Sequence, residues 1–267
     1  MGNVQRLILA HNNITITGDD EHRRLFSNFY SLKYLHLTNA FTEAEDSAKY
    51  FLSLERIFTG SSLDELKILH LEQNEIHSFS NGGVFCHLPA VEEIYLGDNL
   101  IRSLSFNVSC LTKLRVLDLR RNLIEFLDEG SRKLLDEIPS KNFQVDLGMN
   151  PFLCDCHIKD TLTWMNETKV LLLERKDYSC RDGIPKSNIN KTLDEIRELQ
   201  CFSASSQSVN AGTSILSVLF VLICLFFVVA LIFTYRNSIR RTLLPYVEHL
   251  SRKIQYTTLR EPEPDHL

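Results

Sequence analysis

One spacing of apolar residues and asparagine recurs through the first 150 residues and limits what the chain can fold into. An apolar residue is followed at the third, fifth and tenth positions by further apolar residues, with asparagine at the eighth position. The four complete copies are Val4, Leu7, Leu9, Asn12, Ile14; Leu66, Leu69, Leu71, Asn74, Ile76; Val91, Ile94, Leu96, Asn99, Ile101; and Leu114, Leu117, Leu119, Asn122, Ile124. Two weaker copies are Leu32, Leu35, Leu37, with Ala40 in the asparagine position, and Val145, Leu147, Asn150, Phe152, with Asn142 in the first apolar position.

The copies begin at residues 4, 32, 66, 91, 114 and 142, at intervals typical of leucine-rich repeats. Each copy predicts a short parallel strand and a return segment, and stacked copies bury one continuous core. The fold class predicted for residues 1–149 is therefore an α/β leucine-rich-repeat solenoid with parallel strands on its concave face. The long second interval predicts an insertion within residues 41–62. The asparagines are expected to be buried, with their amides bonded to backbone groups.

The two outward columns of the predicted strands define a candidate ligand surface. Its members, which we call the concave patch, combine aromatic and polar side chains: Tyr34, His36, Ile68, His70, Glu93 and Tyr95. Such a surface suits a protein ligand, and the alternative is a solvated face, since solenoids also bind through their convex sides. His36 and His70 stand on adjacent predicted strands, but no third metal ligand is evident, so the sequence predicts no metal site and no cofactor.

The repeats run directly into a cysteine-rich segment with cysteines at positions 154, 156, 180 and 201. Its start, NPFLCDC, is followed by Trp164, and this arrangement resembles the C-terminal capping module of extracellular leucine-rich-repeat proteins. The match covers residues 150–202. The sequence alone allows three pairings of four cysteines. The resemblance implies the pairs Cys154 with Cys180 and Cys156 with Cys201, and it implies that Trp164 closes the end of the core.

A wider resemblance extends from about Leu114 into the C-terminal tail. The run CDCHIKDTLTWMNETKV, the later Cys180 and Cys201, a short stalk and an apolar span are similar to the trophoblast glycoprotein family of surface glycoproteins. The resemblance implies a non-enzymatic receptor, co-receptor or adhesion protein, with roles in Wnt signalling and motility. Cys86 and Cys110 occupy similar places before successive repeats, and both a disulfide and two buried thiols fit this spacing.

An uncharged apolar run, Ile215–Phe233, is long enough for a membrane helix. Arginines at 236, 240 and 241 follow it at once, which predicts a type I orientation with the N-terminal part outside the cell. The four Asn-x-Ser/Thr acceptor sequences all precede this run, at Asn13, Asn107, Asn166 and Asn190. The rival interpretation, a tail-anchored protein with its repeats in the cytosol, would put these acceptors and the paired cysteines in a reducing compartment.

The segments flanking these features complete the predicted organisation: a stalk over residues 203–212, a membrane helix over 213–235 and a cytoplasmic tail over 236–267. The start MGNVQRLILAHNN has no signal-peptide pattern, and no cysteine precedes Cys86, so the N-terminal cap and signal are expected to be missing. In the tail, Tyr256 and Leu259 fit an endocytic or adaptor-binding motif, and the terminal Leu267 fits a PDZ ligand.

Charge and motifs exclude several classes of function. The whole chain carries −5 and the tail +2, so the part before the tail carries −7, which argues against nucleic acid as a partner. No phosphate-binding loop, nucleophile motif or zinc-protease motif is present, so no enzyme is predicted. The predicted partners are an extracellular protein ligand, the lipid bilayer and a cytoplasmic adaptor or PDZ protein, and the predicted location is the plasma membrane. The alternative is a structural membrane glycoprotein without its own ligand.

Overall fold

The computed structural model describes residues 3–15, 25–41, 55–59, 61–79, 82–201 and 219–235. The chain divides into two compact units, Met1–Phe202 and Ser203–Leu267. The first unit contains a seven-stranded parallel sheet and a two-stranded sheet.

The seven-stranded sheet takes one three-residue strand from each of the six predicted repeats. Its strands are β1 (Arg6–Ile8), β2 (Tyr34–His36), β3 (Ile68–His70), β4 (Glu93–Tyr95), β5 (Val116–Asp118), β6 (Gln144–Asp146) and β8 (Leu171–Leu173). The strands follow one another in chain order and in strict parallel register. From β2 to β8 the middle residue of every strand is buried while the first faces outward, because side chains alternate along a strand. The prediction of a leucine-rich-repeat solenoid is confirmed.

Short helices also occur among the described residues of the first unit. They are α1 (Glu129–Glu137) and α2 (Lys159–Glu167), and 3₁₀ helices at Val84–His87, Cys156–Ile158, Arg175–Asp177, Lys186–Asn188 and Leu193–Glu195. Residues 55–59 are also helical, and Ile57 and Phe58 there are buried. Most of the predicted insertion lies outside the described residues.

Each repeat turns off its strand through a left-handed residue that directly precedes the asparagine position. These residues have φ between 46° and 57°, and they are His11, Asn39, Gln73, Asp98, Arg121 and Met149. Asn39 is among them, so the weak second copy makes the same turn with Ala40 in the asparagine position. The turn geometry therefore persists where the asparagine itself is missing.

Four buried asparagines, Asn74, Asn99, Asn122 and Asn150, form an asparagine ladder behind the sheet. Asn99 Nδ2 donates to the carbonyl oxygen of Leu71 at 3.0 Å, and its Oδ1 accepts from the backbone N–H groups of Asn74 and Ile76, both at 3.0 Å. Each member donates to a carbonyl of the preceding repeat in the same way. The ladder therefore joins each of the last four repeats to the one before it.

The cap closes the far end of the core and adds β8 to the main sheet. Its own small sheet pairs β7 (Phe152–Cys154) with β9 (Cys180–Gly183). Tyr178 is fully buried, and its hydroxyl donates to Val145 O at 3.2 Å and accepts from Leu147 N at 3.0 Å. Trp164 is buried too, and its indole donates to Asp136 Oδ2 at 2.9 Å. The disulfide-bonded cap is confirmed as part of the fold.

In the second unit, residues 219–235 form a helix whose large apolar side chains are exposed. The first four residues of the predicted span, 215–218, lie outside the described residues, as does the predicted stalk. Among the residues that the structure describes, no helix has both the length and the apolar character needed to cross a membrane.

Candidate functional site

The six residues of the concave patch lie side by side on β2, β3 and β4. His36 is paired in register with His70, and His70 with Tyr95. In the neighbouring column Tyr34 is paired with Ile68, and Ile68 with Glu93. All six side chains are half-buried. The structure thus brings the predicted members into one continuous surface.

Ring contacts hold the aromatic side of the patch together. The rings of His70 and Tyr95 stack with centroids 4.4 Å apart and planes only 3° from parallel. His36 and His70 have centroids 4.7 Å apart, and the Tyr34 ring lies 5.2 Å from that of His70. The Arg6 guanidinium lies over the Tyr34 ring at 4.2 Å, a cation–π geometry. These contacts fix the orientation of the rings before any ligand arrives.

A hydrogen-bond network lies along the edge of the patch, and it includes two residues that the sequence analysis did not single out, Thr38 and Glu72. The Thr38 hydroxyl donates to Glu72 Oε2 at 2.7 Å, and His36 Nε2 lies 2.8 Å from Thr38 Oγ1. His70 Nδ1 lies 2.9 Å from Glu72 Oε1. Each follows a patch histidine by two residues, which is the same-face spacing of a strand. That spacing is the signal that could have found them.

The network and its burial set the protonation of its members. Burial, and then the nearby His70, lower the pKa of His36, which favours the neutral imidazole. Burial opposes the charge of Glu72, but the hydrogen bonds with His70 and Thr38 outweigh it and lower the pKa of that carboxyl. At neutral pH the network therefore contains the Glu72 carboxylate and a neutral His36 imidazole.

The other side of the patch is acidic. The Tyr95 hydroxyl donates to Glu93 Oε2 at 2.8 Å, and burial, followed by this bond, raises the pKa of Tyr95 to about 12. Beyond β4 the same outward column continues with Asp118 and Asp146, both buried, and Arg120 Nε lies 3.5 Å from a carboxylate oxygen of each. The concave face therefore changes from aromatic to acidic along the solenoid.

Three disulfides stabilise the first unit. Their Cα atoms are 5.6 Å apart in Cys154–Cys180, 5.1 Å in Cys156–Cys201 and 5.3 Å in Cys86–Cys110. Cys86 and Cys110, for which the sequence allowed either a disulfide or two buried thiols, form a disulfide. Cys224 is a free thiol on the helix of the second unit.

The remaining predicted sites divide into exposed and undescribed residues. The four acceptor asparagines are all exposed, at Asn13, Asn107, Asn166 and Asn190. Asn107 Oδ1 accepts from the backbone N–H of Ser109 at 2.9 Å and from its hydroxyl at 2.8 Å. Tyr256, Leu259 and Leu267 of the predicted tail motifs lie outside the described residues.

A parallel repeat sheet, an asparagine ladder and a cysteine-bonded cap together define a leucine-rich-repeat protein with an extracellular type of cap. No family model matches the sequence. Trophoblast glycoprotein from Macaca fascicularis is 28% identical over 189 residues, which cover 69% of this chain and 43% of that protein. Human Toll-like receptor 5 is 34% identical over 119 residues, covering 43% of this chain and 12% of the receptor.

A crystal structure of human 5T4 (Wnt-activated inhibitory factor 1, Trophoblast glycoprotein) has the same fold. It matches with a TM-score of 0.55 and 20% identity, covering 74% of this chain and 87% of that one. The chain is thus a leucine-rich-repeat protein that is similar to trophoblast glycoprotein in sequence and shares the fold of this structure. It spans less than half of the length of the trophoblast glycoprotein that it matches. By their names, these relatives are glycoproteins and receptors rather than enzymes.

Proposed function

We propose that the chain is a single-pass type I glycoprotein of the plasma membrane that binds an extracellular protein through its concave patch. It acts as a receptor, co-receptor or adhesion protein, without enzymatic activity. The patch carries this proposal, because six half-buried side chains with preset ring orientations resemble the anchors of protein interfaces. Preset rings lose little conformational freedom when a partner binds.

Three observations support the extracellular location. One disulfide lies within the repeats and two lie within the cap, and such bonds persist in oxidising compartments. All four glycosylation acceptors are exposed on the same unit. The apolar run at residues 215–233 is followed by three arginines, which supports a membrane anchor with a cytoplasmic tail. In this organisation residues 150–202 cap the repeats and residues 203–212 form the stalk.

The name of one structural neighbour, Wnt-activated inhibitory factor 1, supports a more specific role. We extend that role to this chain as a modulator of Wnt signalling, with an effect on cell motility. The tail, through Tyr256, Leu259 and Leu267, would connect this activity to a cytoplasmic adaptor or PDZ protein. These assignments depend on the concave patch being accessible at the cell surface.

The experiment compares cells that express the full chain behind a secretion signal with cells that express, behind the same signal, the double variant Tyr34→Ala, Tyr95→Ala. Tyr30→Ala is the matched control, because Tyr30 is 58% exposed and lies outside the strands. Two quantities are measured, a Wnt reporter signal and the binding of secreted proteins from a defined panel. We expect the wild type and the control to change the reporter and to bind one panel member, and the double variant to bind it at least about tenfold more weakly.

Surface expression, measured with antibody on intact cells, ensures that equal amounts are compared. Equal binding by the wild type and the double variant would place the ligand elsewhere on the molecule. If all three proteins reach the surface and none alters the reporter or binds a panel member, the alternative of a structural glycoprotein without its own ligand is favoured.

A further inference from the structure

A metal-ligand set lies within the concave face. One ligand atom from each of His36, His70 and Glu72 lies within 4.8 Å of those of the other two. Strict register between β2 and β3 brings the two histidines together, and Glu72 follows His70 by two residues on the same face. The three side chains therefore converge because of the repeat itself.

The residue types favour a transition metal over calcium or magnesium. Two imidazoles and one carboxylate match the ligand set of zinc sites that keep a position open, while calcium and magnesium prefer oxygen ligands. Zinc–ligand bonds of about 2.0–2.2 Å require ligand atoms closer together than 4.8 Å. His70 Nδ1 and Glu72 Oε1 are already 2.9 Å apart, so a small rotation of the half-buried His36 toward them can close the site while the stacked His70 ring stays in place.

The surroundings of the three side chains prepare them for a cation. Thr38 has one hydroxyl proton, which it donates to Glu72, so it accepts a hydrogen bond from His36 Nε2. Glu72 accepts from His70 Nδ1, and Tyr95 stacks on the His70 ring. On binding, a zinc ion would replace the proton that His70 Nδ1 shares with Glu72, and that proton is released to solvent. The Thr38 hydroxyl and the Tyr95 ring would stay beside the ligands and orient them, as outer partners do in known metal sites. The side chains of His70 and Glu72 are 17% and 20% exposed, enough for an ion to enter.

We propose that His36, His70 and Glu72 bind one Zn²⁺ ion on the concave face. The fourth position of the tetrahedron is taken by water, or by a side chain of a bound ligand. Metal binding here does not depend on the proposed protein ligand. The bound zinc ion would give the concave patch a position that prefers histidine or carboxylate groups of a partner as its fourth ligand.

The test titrates ZnCl₂ into the full chain, purified in detergent without a histidine tag. Binding is measured by competition with a chromophoric chelator, and thermal stability is measured with Zn²⁺ and with EDTA. The variants are His36→Gln, His70→Gln and Glu72→Gln. His87→Gln is the matched control, since His87 is exposed at the end of a 3₁₀ helix. Cys224 is present in every protein, so any zinc that it binds is common to all.

We expect the wild type and the His87→Gln control to bind one more equivalent of zinc than either histidine variant, and to be stabilised by zinc. Glu72→Gln keeps both histidines and the side-chain shape, and its zinc affinity should fall at least about tenfold. Equal zinc binding and equal stabilisation in the wild type and all three variants would overturn the proposal. Unchanged affinity in Glu72→Gln alone would remove Glu72 from the ligand set and overturn the three-ligand site. Because the titration contains no protein partner, its result is independent of the proposed receptor function.

Discussion

At the residue scale, each asparagine of the ladder forms hydrogen bonds with backbone groups at the turns that follow the strands. Its side chain takes the place of the backbone partners that these groups would have in a regular strand or helix. Asn99 alone satisfies the N–H groups of Asn74 and Ile76 and the carbonyl of Leu71. A buried backbone group that loses its partner costs about 1–3 kcal/mol. The ladder thus stabilises the contact between coils through polar bonds inside an apolar core.

Asn99→Leu tests this role directly. The substitution adds apolar bulk but removes the hydrogen bonds that Asn99 makes with those three backbone groups, so the free energy of unfolding should fall by about 1–3 kcal/mol. Urea denaturation followed by circular dichroism measures the change. Asn142→Leu is the control, because Asn142 is exposed and lies outside the left-handed turns. A loss in the control as large as that in Asn99→Leu would show that the ladder bonds are not the cause.

Asp146 gives the concave face a pH dependence. Burial raises the pKa of Asp146, and the negative charge of the nearby Asp118 raises it further. The hydrogen bond from Gly148 N lowers this pKa, but by less than burial raises it. Between the ordinary aspartate value of about 3.9 and this raised value, the folded state keeps a proton that the unfolded state releases. The contribution of Asp146 to stability is therefore present at low pH and is lost as pH rises through that window.

The prediction is a difference between two proteins, because other carboxylates also titrate in this range. Relative to Asp146→Asn, which cannot titrate, the wild type should gain stability as pH falls through the window above about 3.9. Denaturation midpoints measured at a series of pH values give this difference. A difference between wild type and Asp146→Asn that is flat with pH would contradict the assignment.

At the element scale, the cap is joined to the last repeat by strand β8 and by the buried hydroxyl of Tyr178. That hydroxyl satisfies both Val145 O and Leu147 N of the strand β6 region. The cap therefore completes the hydrogen bonding of the final coil as well as covering its apolar core.

Tyr178→Phe removes this link while it keeps the ring. With Leu147 N left without its partner, we expect a destabilisation of about 1–3 kcal/mol. Thermal unfolding is the measurement, and Tyr30→Phe, at an exposed tyrosine, is the control. An unchanged melting temperature in Tyr178→Phe would mean that the contacts of the ring alone hold the cap in place.

The period of the repeat predicts the strands β1 to β6 and the aligned columns of the concave patch, because register in a parallel solenoid follows from equal spacing. It does not predict β8, since Leu171–Leu173 lies inside the cap and carries no asparagine after it. Thr38 and Glu72 were missed for a different reason. Their spacing of two residues after His36 and His70 is visible in the sequence, but they follow the strands, and the hydrogen bond that joins them across neighbouring repeats is seen only in the structure.

At the scale of the whole molecule, the distribution of sugar acceptors and charged residues along the chain bears on its topology. The four exposed acceptors precede residue 215, and three arginines follow residue 233. If residues 215–233 stop transfer across the membrane, everything before them meets the glycosylation machinery and everything after them does not. A secreted chain would instead expose its tail to the same enzymes.

Glycan mapping separates these topologies. The full chain is produced in mammalian cells behind a secretion signal, and its mobility is compared before and after glycosidase treatment. Asn→Gln changes at positions 13, 107, 166 and 190 should each remove one step of the mobility shift, because all four side chains are exposed. Gln255→Asn creates an acceptor sequence with Tyr256 and Thr257 in the tail, and we expect it to add no glycan. A glycan at that position would mean that the tail had crossed the membrane, and the type I topology would be wrong.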